Sequence, residues 1–347
     1  MHDDPLVYFM GASPYSVTDV RRFGMTNTAE SSLTYPRFMN LPNGDLLFLY
    51  RQGQSGNGDW YANAFDGHAW HKTTSSPLFG STLTTPDGRQ LSVNAYPSYF
   101  VMGRDGTYHV AIVWRLTPDV STNFRLSYAR TKDFSTWYGA DGKPIIAPLL
   151  PNTAELVDDV GENNGLVNNP KISVDQSGSP MITYTKYDGQ LNAVFLATIN
   201  GGRWRSTKIA DSEKLTQVRG GGSESLPSFS PVDIVNNSYV VHVNFPGEHV
   251  RTVELDSHML SPMNNPTVGA PPKTNGHPSV PETLPEVQGL VSPQVQTVHA
   301  DKDAPEAADV VLRWYTQPVH GDRPRICTSG EPNVCHPPPS PLVMFVH

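Results

Sequence analysis

The chain has 347 residues with 28 Gly, 32 Pro and a formal net charge of −8. Prolines this frequent exclude a helix bundle, and no apolar run approaches the roughly 18 residues of a membrane span. The acidic balance argues against a nucleic-acid partner held by bulk charge. We therefore expect a turn-rich, all-β protein without a nucleic-acid or membrane partner.

A strand–turn–strand unit recurs along the chain. Its copies start at Tyr35, Ala95, Asn169, Leu226 and Ser292. Within each copy, turn-forming residues such as Asn-Gly, Asp-Gly or Ser-Gly separate two short apolar runs, which predicts hairpins. Several of these runs are apolar almost throughout, as in sheets covered on both faces. The repetition predicts a β-propeller of four-stranded antiparallel blades, with residues 1–347 as one domain. A β-sandwich would explain the strands but not the repeated unit.

Two further features lie towards the end of the chain. Residues 261–289 contain seven prolines, which predicts an irregular loop, either a lid or a linker. Cys327 and Cys335 favour a disulfide and an oxidising compartment, and a metal site with the flanking histidines is the alternative. The first residues show no signal peptide. We expect a secreted protein in its mature form, and a cytosolic protein is the alternative.

Three long segments resemble one known family. They are YPRFMNLPNGDLLFLYRQGQSGNGD, NAYPSYFVMGRDGTYHVAIVWRLTPDVSTN and GLVNNPKISVDQSGSPMITYTKYD, and the last is followed by GGRW. Together they closely resemble the BNR-4 family, over roughly residues 33–210, and residues 131–137 form an Asp-box-like turn. The resemblance implies a sialidase-related propeller of seven blades. It also implies a polysaccharide lyase acting on uronate glycans such as ulvan or rhamnosyl-glucuronate.

The resemblance implies candidate catalytic residues. A lyase removes the C5 proton of a uronate, stabilises the charge on its carboxylate and protonates the leaving oxygen, and Tyr, His and Arg suit these tasks. Tyr187 and Arg203 match a Tyr–Arg pair of the family, with Tyr184 and Arg205 as second choices, and His109 stands where the family commonly has His. The structural alternatives are a strand-end aromatic, a solvated arginine and a core histidine.

Other family histidines are absent. Phe124, Asn163 and Thr185 mark places where relatives often carry His. Either Tyr187 performs both proton transfers, another His substitutes in space, or the chemistry has been lost.

Candidate substrate-binding residues are mostly cationic. Arg51 and Arg115 end equivalent strands, so they could converge on one anionic group, and ion pairing with Asp59 or Asp119 is the equal alternative. The remaining predicted contacts are Arg125, Lys186, Asn123, Tyr184 and Trp60.

Three functions follow from these residues. The first is a lyase acting on an acidic polysaccharide or oligosaccharide, as a monomer and without a required cofactor, a structural metal ion being the alternative. The second is a glycoside hydrolase, which needs two carboxylates about 5–10 Å apart. The third is a carbohydrate-binding propeller without catalysis. Loop carboxylates available to a hydrolase are Asp119, Glu155, Asp158, Asp159 and Glu162.

Overall fold

The computed structural model describes most of the first 257 residues and a few later segments. The described residues are 5–13, 19–54, 56–220, 226–236, 238–257, 260, 267–268, 292–298, 310–316 and 343–346. Most of segment 261–289 and the cysteines at 327 and 335 lie outside them. The chain divides into two compact units, Met1–Gly269 and Ala270–His347. A single domain over the whole chain remains a prediction.

The larger unit begins with a hairpin, a four-stranded sheet and a second hairpin, in chain order. A two-stranded antiparallel pair consists of β1 (Tyr8–Gly11) and β2 (Val20–Phe23). The next sheet has four antiparallel strands in chain order, namely β3 (Leu33–Asn40), β4 (Leu46–Gln54), β5 (Asn57–Phe65) and β6 (Trp70–Lys72). A second hairpin follows, formed by β7 (Thr82–Thr84) and β8 (Gln90–Ser92).

The second large sheet is built around two long central strands. Its members are β9 (Asn94–Pro97), β10 (Val101–Met102), β11 (Tyr108–Arg115), β12 (Asn123–Thr131), β13 (Trp137–Tyr138), β14 (Pro144–Ile145) and β15 (Glu155–Asp158). All eight residues of β11 are buried, as its apolar sequence predicts. A 3₁₀ turn, Val120–Thr122, joins β11 to β12.

Two further sheets complete the described part of the larger unit. The third has four antiparallel strands, β16 (Lys171–Val174), β17 (Pro180–Asp188), β18 (Leu191–Asn200) and β19 (Arg203–Asp211). The fourth contains β20 (Ser228–Phe229), β21 (Asp233–Val235), β22 (Ser238–Asn244), β23 (Arg251–Asp256) and β24 (Thr267–Val268). β24 falls inside the segment predicted to be irregular, and it pairs with β23.

The smaller unit contains one described sheet of three antiparallel strands. They are β25 (Ser292–Val298), β26 (Val310–Thr316) and β27 (Val343–Val346). The all-β prediction is confirmed, because every described element other than the 3₁₀ turn is a strand. No helix in the described ranges is long and apolar enough to cross a membrane.

Consecutive sheets of the larger unit share apolar cores. One core joins Leu49 and Trp60 of the first sheet to Trp114 of the second. A second core joins the second and third sheets through Tyr128 and Ile182. Burying one such large side chain contributes about 1.5–3 kcal/mol, so the double-sided apolar strands hold neighbouring sheets together.

A repeated Asp turn closes the outer hairpins. The carboxylate of Asp133 accepts hydrogen bonds from the N–H groups of Ser135 and Thr136 at 2.8 and 2.7 Å. Burial opposes ionisation of Asp133, but these hydrogen bonds outweigh it and lower its pKa to about 2. Asp66 forms the corresponding turn in the first sheet. Trp137, four residues after Asp133, is 1% exposed in the core between sheets.

Candidate functional site

The loops of the larger unit emerge at two opposite ends of its sheets. The Tyr187 face is the surface formed at the ends of β11 and β17 by residues 116–122, 161–167 and 212–220. The Arg203 face is the surface formed at the other end by residues 103–107, 175–179 and 200–203.

The structure separates the predicted Tyr–Arg pair. Tyr187 lies opposite Asn192 at the start of β18, whereas Arg203 lies opposite Asn200 at the end of the same strand. Eight residues of strand span about 26 Å. Tyr187 and Arg203 therefore do not share a site, and the same holds for Arg205.

The Tyr187 side chain is half-buried and held by backbone groups. Its Oη accepts a hydrogen bond from the N–H of Val218 at 2.8 Å and donates to the carbonyl of Thr216 at 3.4 Å. The ring rests on Gly165, whose φ is +75° and where a Cβ would lie 2.4 Å from the ring. Only glycine fits both the backbone conformation and this close approach.

The strap, residues 216–220, crosses the face beside Tyr187. Val218 is 5% exposed and packs with Val120 and Val167. The carbonyl of Gly220 accepts a hydrogen bond from the N–H of Val120 at 2.8 Å, and the N–H of Gly220 donates to the carboxylate of Asp119 at 2.8 Å. The strap is therefore fixed to the β11–β12 connection as well as to Tyr187.

Asp119 is an anchor for the strap and for the 3₁₀ turn. Its Oδ1 accepts hydrogen bonds from the N–H groups of Ser121 and Gly220, both at 2.8 Å. Burial opposes ionisation, but these hydrogen bonds and the charge of Arg115 outweigh it, so the pKa of Asp119 is lowered.

Arg219 lies in the strap between Val218 and Gly220, and its side chain is exposed. Sequence patterns do not single out Arg219, because the strap has no strand pattern and its partner Asp119 is 101 residues away in sequence. The only local signal is that Arg219 directly precedes a run of three glycines.

Arg51 and Arg115 converge, but beneath the surface. They are 0% and 2% exposed. Their guanidinium carbons lie 5.2 and 4.0 Å from the centre of the Tyr96 ring, and Arg51 also lies 4.8 Å from the ring centre of Tyr35. Burial lowers the pKa of Arg51, and the neighbouring Tyr35 opposes this effect. Both arginines stack on aromatic rings and are out of direct reach of a ligand in solution.

Two predicted sugar contacts, Asn123 and Trp60, are also buried. Asn123, 1% exposed, donates to the carbonyl of Leu166 at 2.8 Å and ties the loop at 161–167 to β12. Trp60, 1% exposed, donates to the carbonyl of Ala95 at 2.9 Å in the core between sheets. Neither side chain is available for sugar contact in this structure.

His109 is also buried, near the Arg203 face. It is 1% exposed, and its Nδ1 lies 2.6 Å from the hydroxyl oxygen of Tyr128. Burial lowers the pKa of His109 to about 4, and the charge of Arg130 adds to the effect. This placement fits the core histidine that the sequence left as an alternative, and it keeps His109 away from Tyr187.

The side chains of the remaining predicted substrate contacts form ion pairs or hydrogen bonds with aspartates. Arg125 pairs with Asp159 at 3.0 Å, and Lys186 pairs with Asp158 at 2.6 Å. Tyr184 donates its hydroxyl to Asp158 as well, and burial raises its pKa. Arg125, Lys186 and Tyr184 are therefore bound within the protein.

Most loop carboxylates named for a hydrolase have structural partners. Glu155 accepts from the Trp204 ring N–H at 3.0 Å and from the Ala140 N–H at 2.6 Å. Asp119, Asp158 and Asp159 are bonded as described above. Of the five, Glu162 alone is exposed without a hydrogen bond or ion pair to the described residues.

Possible metal ligands and cavities were compared with the position of the Tyr187 face. Among the described residues, no three His, Cys, Asp or Glu side chains converge as metal ligands would. A cavity of about 250 Å³ at the Arg203 face is lined by residues that include Arg104 and Asp175. Another, of about 360 Å³, lies beside Glu30 near β2.

Comparison with known proteins places the chain in a family. The model of the BNR repeat-containing family matches residues 1–212, more than half of the chain. The chain belongs to this family. None of the curated proteins compared with the chain matches it.

Two solved structures share the fold of this BNR repeat-containing protein, and a third matches it less well. An ulvan lyase of polysaccharide lyase family PL25 matches with a TM-score of 0.53 and 14% identity, over 92% of this chain and 70% of that one. The same figures hold for an ulvan lyase of that family bound to -[GlcA(1-4)Rha3S]-. The polysaccharide lyase Uly1 matches with a TM-score of 0.47 and 15% identity, over 85% of this chain and 57% of that one.

Proposed function

We propose that this protein is a polysaccharide lyase that cleaves the bond to O4 of a uronic acid by β-elimination at the Tyr187 face. The observation that carries the proposal is the placement of Tyr187, half-buried on an open loop face with its phenol oxygen bound to the strap. Membership of the BNR repeat-containing family and the fold shared with ulvan lyases support it.

The substrate class in this proposal is an acidic polysaccharide or oligosaccharide. An ulvan lyase of the same fold was solved with a glucuronate–sulfated rhamnose unit. We extend that chemistry to this chain as an ulvan-like or rhamnosyl-glucuronate glycan. A seven-bladed propeller, secreted and acting as a monomer without a required cofactor, is part of the same proposal.

The chemistry uses one residue for both proton transfers. The Tyr187 phenol first gives its own proton to solvent. Its oxygen then takes the C5 proton, and the electron pair of the C5–H bond forms the C4=C5 double bond. The bond between C4 and O4 breaks, and O4 keeps its electron pair and takes the proton back from the Tyr187 phenol. Tyr187 is thereby restored, and no oxidant or water is consumed.

The backbone around Tyr187 suits these transfers. The N–H of Val218 points at Oη at 2.8 Å and can stabilise negative charge on that oxygen in the transition state. The hydrogen bond to Thr216 is long, at 3.4 Å, and therefore weak. The phenol proton is consequently free to move to the leaving oxygen.

A glycoside hydrolase is the second candidate, because Glu162 is exposed on the same face. Hydrolysis needs a partner carboxylate, and the other four loop carboxylates bind backbone, ring or cationic groups of the protein. The lyase mechanism requires no second carboxylate and fits the described residues better.

The test is turnover of ulvan and of a rhamnosyl-glucuronate glycan by the wild type and Tyr187→Phe. We expect the wild type to produce the ultraviolet absorbance of an unsaturated uronate. Tyr187→Phe keeps the ring on Gly165 but loses the proton, so we expect turnover to fall at least about 100-fold. Tyr138→Phe changes an exposed tyrosine of β13 and is the matched control, with turnover unchanged.

The other outcomes separate the competing functions. New reducing ends without ultraviolet absorbance would establish the hydrolase instead. Binding without either product would establish a carbohydrate-binding protein without catalysis. Full turnover by Tyr187→Phe would remove Tyr187 from the mechanism.

A further inference from the structure

We infer that Arg219, and not Arg203, binds the carboxylate of the uronate at the Tyr187 face. The inference rests on the proposed function and adds the residue that selects an acidic sugar. Arg203 lies at the opposite face, about 26 Å along β18 from the level of Tyr187. The cation for this site must therefore come from another segment.

The strap brings Arg219 close to Tyr187. The backbone nitrogen of Val218 is 2.8 Å from Tyr187 Oη, and Arg219 is the next residue. Standard backbone dimensions then place the Cα of Arg219 at most about 8 Å from that oxygen. An extended arginine side chain covers this span, so its guanidinium can reach a sugar whose C5 lies at Oη.

The anchoring of the strap directs Arg219 outward. Thr216 is bound by the Asn192 side chain, with its N–H 2.6 Å from Oδ1 and its carbonyl 2.9 Å from Nδ2. Val218 is bound by Tyr187, and Gly220 by Asp119. The anchored residues alternate with Gln217 and Arg219, whose side chains are both exposed. Arg219 thus combines a fixed backbone with a side chain directed to solvent.

The other cations predicted as substrate contacts do not meet the requirement. Arg51 and Arg115 are buried, and Arg125 and Lys186 are paired with aspartates. Lys214 is exposed, but it precedes the first anchored residue of the strap. Arg219 also presents two parallel N–H donors to a carboxylate, which lysine cannot.

The test compares affinities for ulvan and for ulvan whose carboxyl groups have been reduced to alcohols. Affinity electrophoresis is run with Tyr187→Phe protein, so that the polymer is not cleaved, and with Arg219→Ala or Arg219→Lys added. We expect the parent to prefer native ulvan 10- to 100-fold, as for hydrogen bonds to a charged group. Arg219→Ala abolishes the preference, and Arg219→Lys keeps part of it.

Two controls match the change of charge. Lys214→Ala removes one exposed cation from the same face, and Arg203→Ala removes one from the opposite face. Both are expected to keep the full preference. Because the Arg219 side chain makes no hydrogen bond to the described residues, thermal unfolding of Arg219→Ala should match the parent.

The outcomes separate this inference from the proposed function. If the parent prefers native ulvan and Arg219→Ala does so equally, the inference is overturned and the proposed function stands. If the parent shows no preference for the carboxylate, the proposed function itself is overturned. Loss of the preference in Lys214→Ala to the same extent would also overturn the assignment, because net charge alone would then explain it.

Discussion

Tyr187 and His109 show that the surroundings of a side chain decide whether it can reach a substrate. Both were predicted from the same family resemblance. Tyr187 ends β17 on a loop face with its oxygen bound to the strap, whereas His109 faces the hydroxyl of Tyr128 inside the protein. The apolar sequence around His109 predicts burial. The contacts of Tyr187 come from residues 22 to 31 positions away, and sequence patterns do not reveal them.

The buried His109 predicts a pH dependence of stability. Its pKa is about 4 in the folded protein, mainly because burial opposes the charged form, against an ordinary value of 6.5. Between these values the unfolded chain binds more protons than the folded one. The free energy of unfolding should therefore fall as the pH is lowered from about 6.5 to about 4. Urea unfolding at several pH values across this range measures the free energy of unfolding.

A substitution isolates the contribution of this histidine. His109→Gln cannot titrate, so the decline over this pH range should become shallower than in the wild type. His68→Gln, which changes an exposed histidine, should keep the wild-type decline. An equal decline in wild type and His109→Gln would show that other groups cause it.

Hairpins are the elements that sequence reveals best, because their turns are local. Asn-Gly and Asp-Gly pairs correctly placed the turns before β4 and β11. The position of Arg203 relative to Tyr187 depends on strand length instead. Their spacing of 16 residues contains the ten-residue β18, which carries the chain from one end of the sheet to the other. A match of spacing alone does not reveal which end of a strand a residue occupies.

The close approach of the Tyr187 ring to Gly165 predicts that alanine destabilises the protein more at Gly165 than at Gly178. Both Gly165 and Gly178 have positive φ, so alanine at either position costs about 1–2 kcal/mol of stability from backbone strain. At Gly165 the added Cβ also meets the Tyr187 ring at 2.4 Å, which adds about 1–3 kcal/mol. Thermal unfolding of Gly165→Ala and Gly178→Ala measures the difference.

Turnover separates the same pair of variants. Gly178 lies at the Arg203 face with open space around it, so Gly178→Ala should keep full activity. Gly165→Ala displaces Tyr187 and should lose activity. Equal turnover in the two variants would mean that the position of the Tyr187 ring does not matter for the reaction.

At the scale of the whole molecule, composition and repetition predicted the all-β fold and the stacking of successive sheets. Equivalent positions in two copies suggested that Arg51 and Arg115 either bind one anionic group together or pair with Asp59 or Asp119, and in the structure both lie against the Tyr96 ring. Their depth was not predictable, because burial depends on how neighbouring sheets pack. The net charge of −8 makes the location of an exposed cation decisive for an acidic ligand, and the strap carries one at Arg219.

The most direct measurement is a crystal structure of the Tyr187→Phe protein with an oligosaccharide of glucuronate and sulfated rhamnose. We expect sugar on the Tyr187 face, with C5 of a uronate at the Phe side chain. The carboxylate should lie about 3 Å from the guanidinium of Arg219. Sugar bound only at the Arg203 face, for example in the cavity beside Arg104 and Asp175, would show that the Tyr187 face is not the active site.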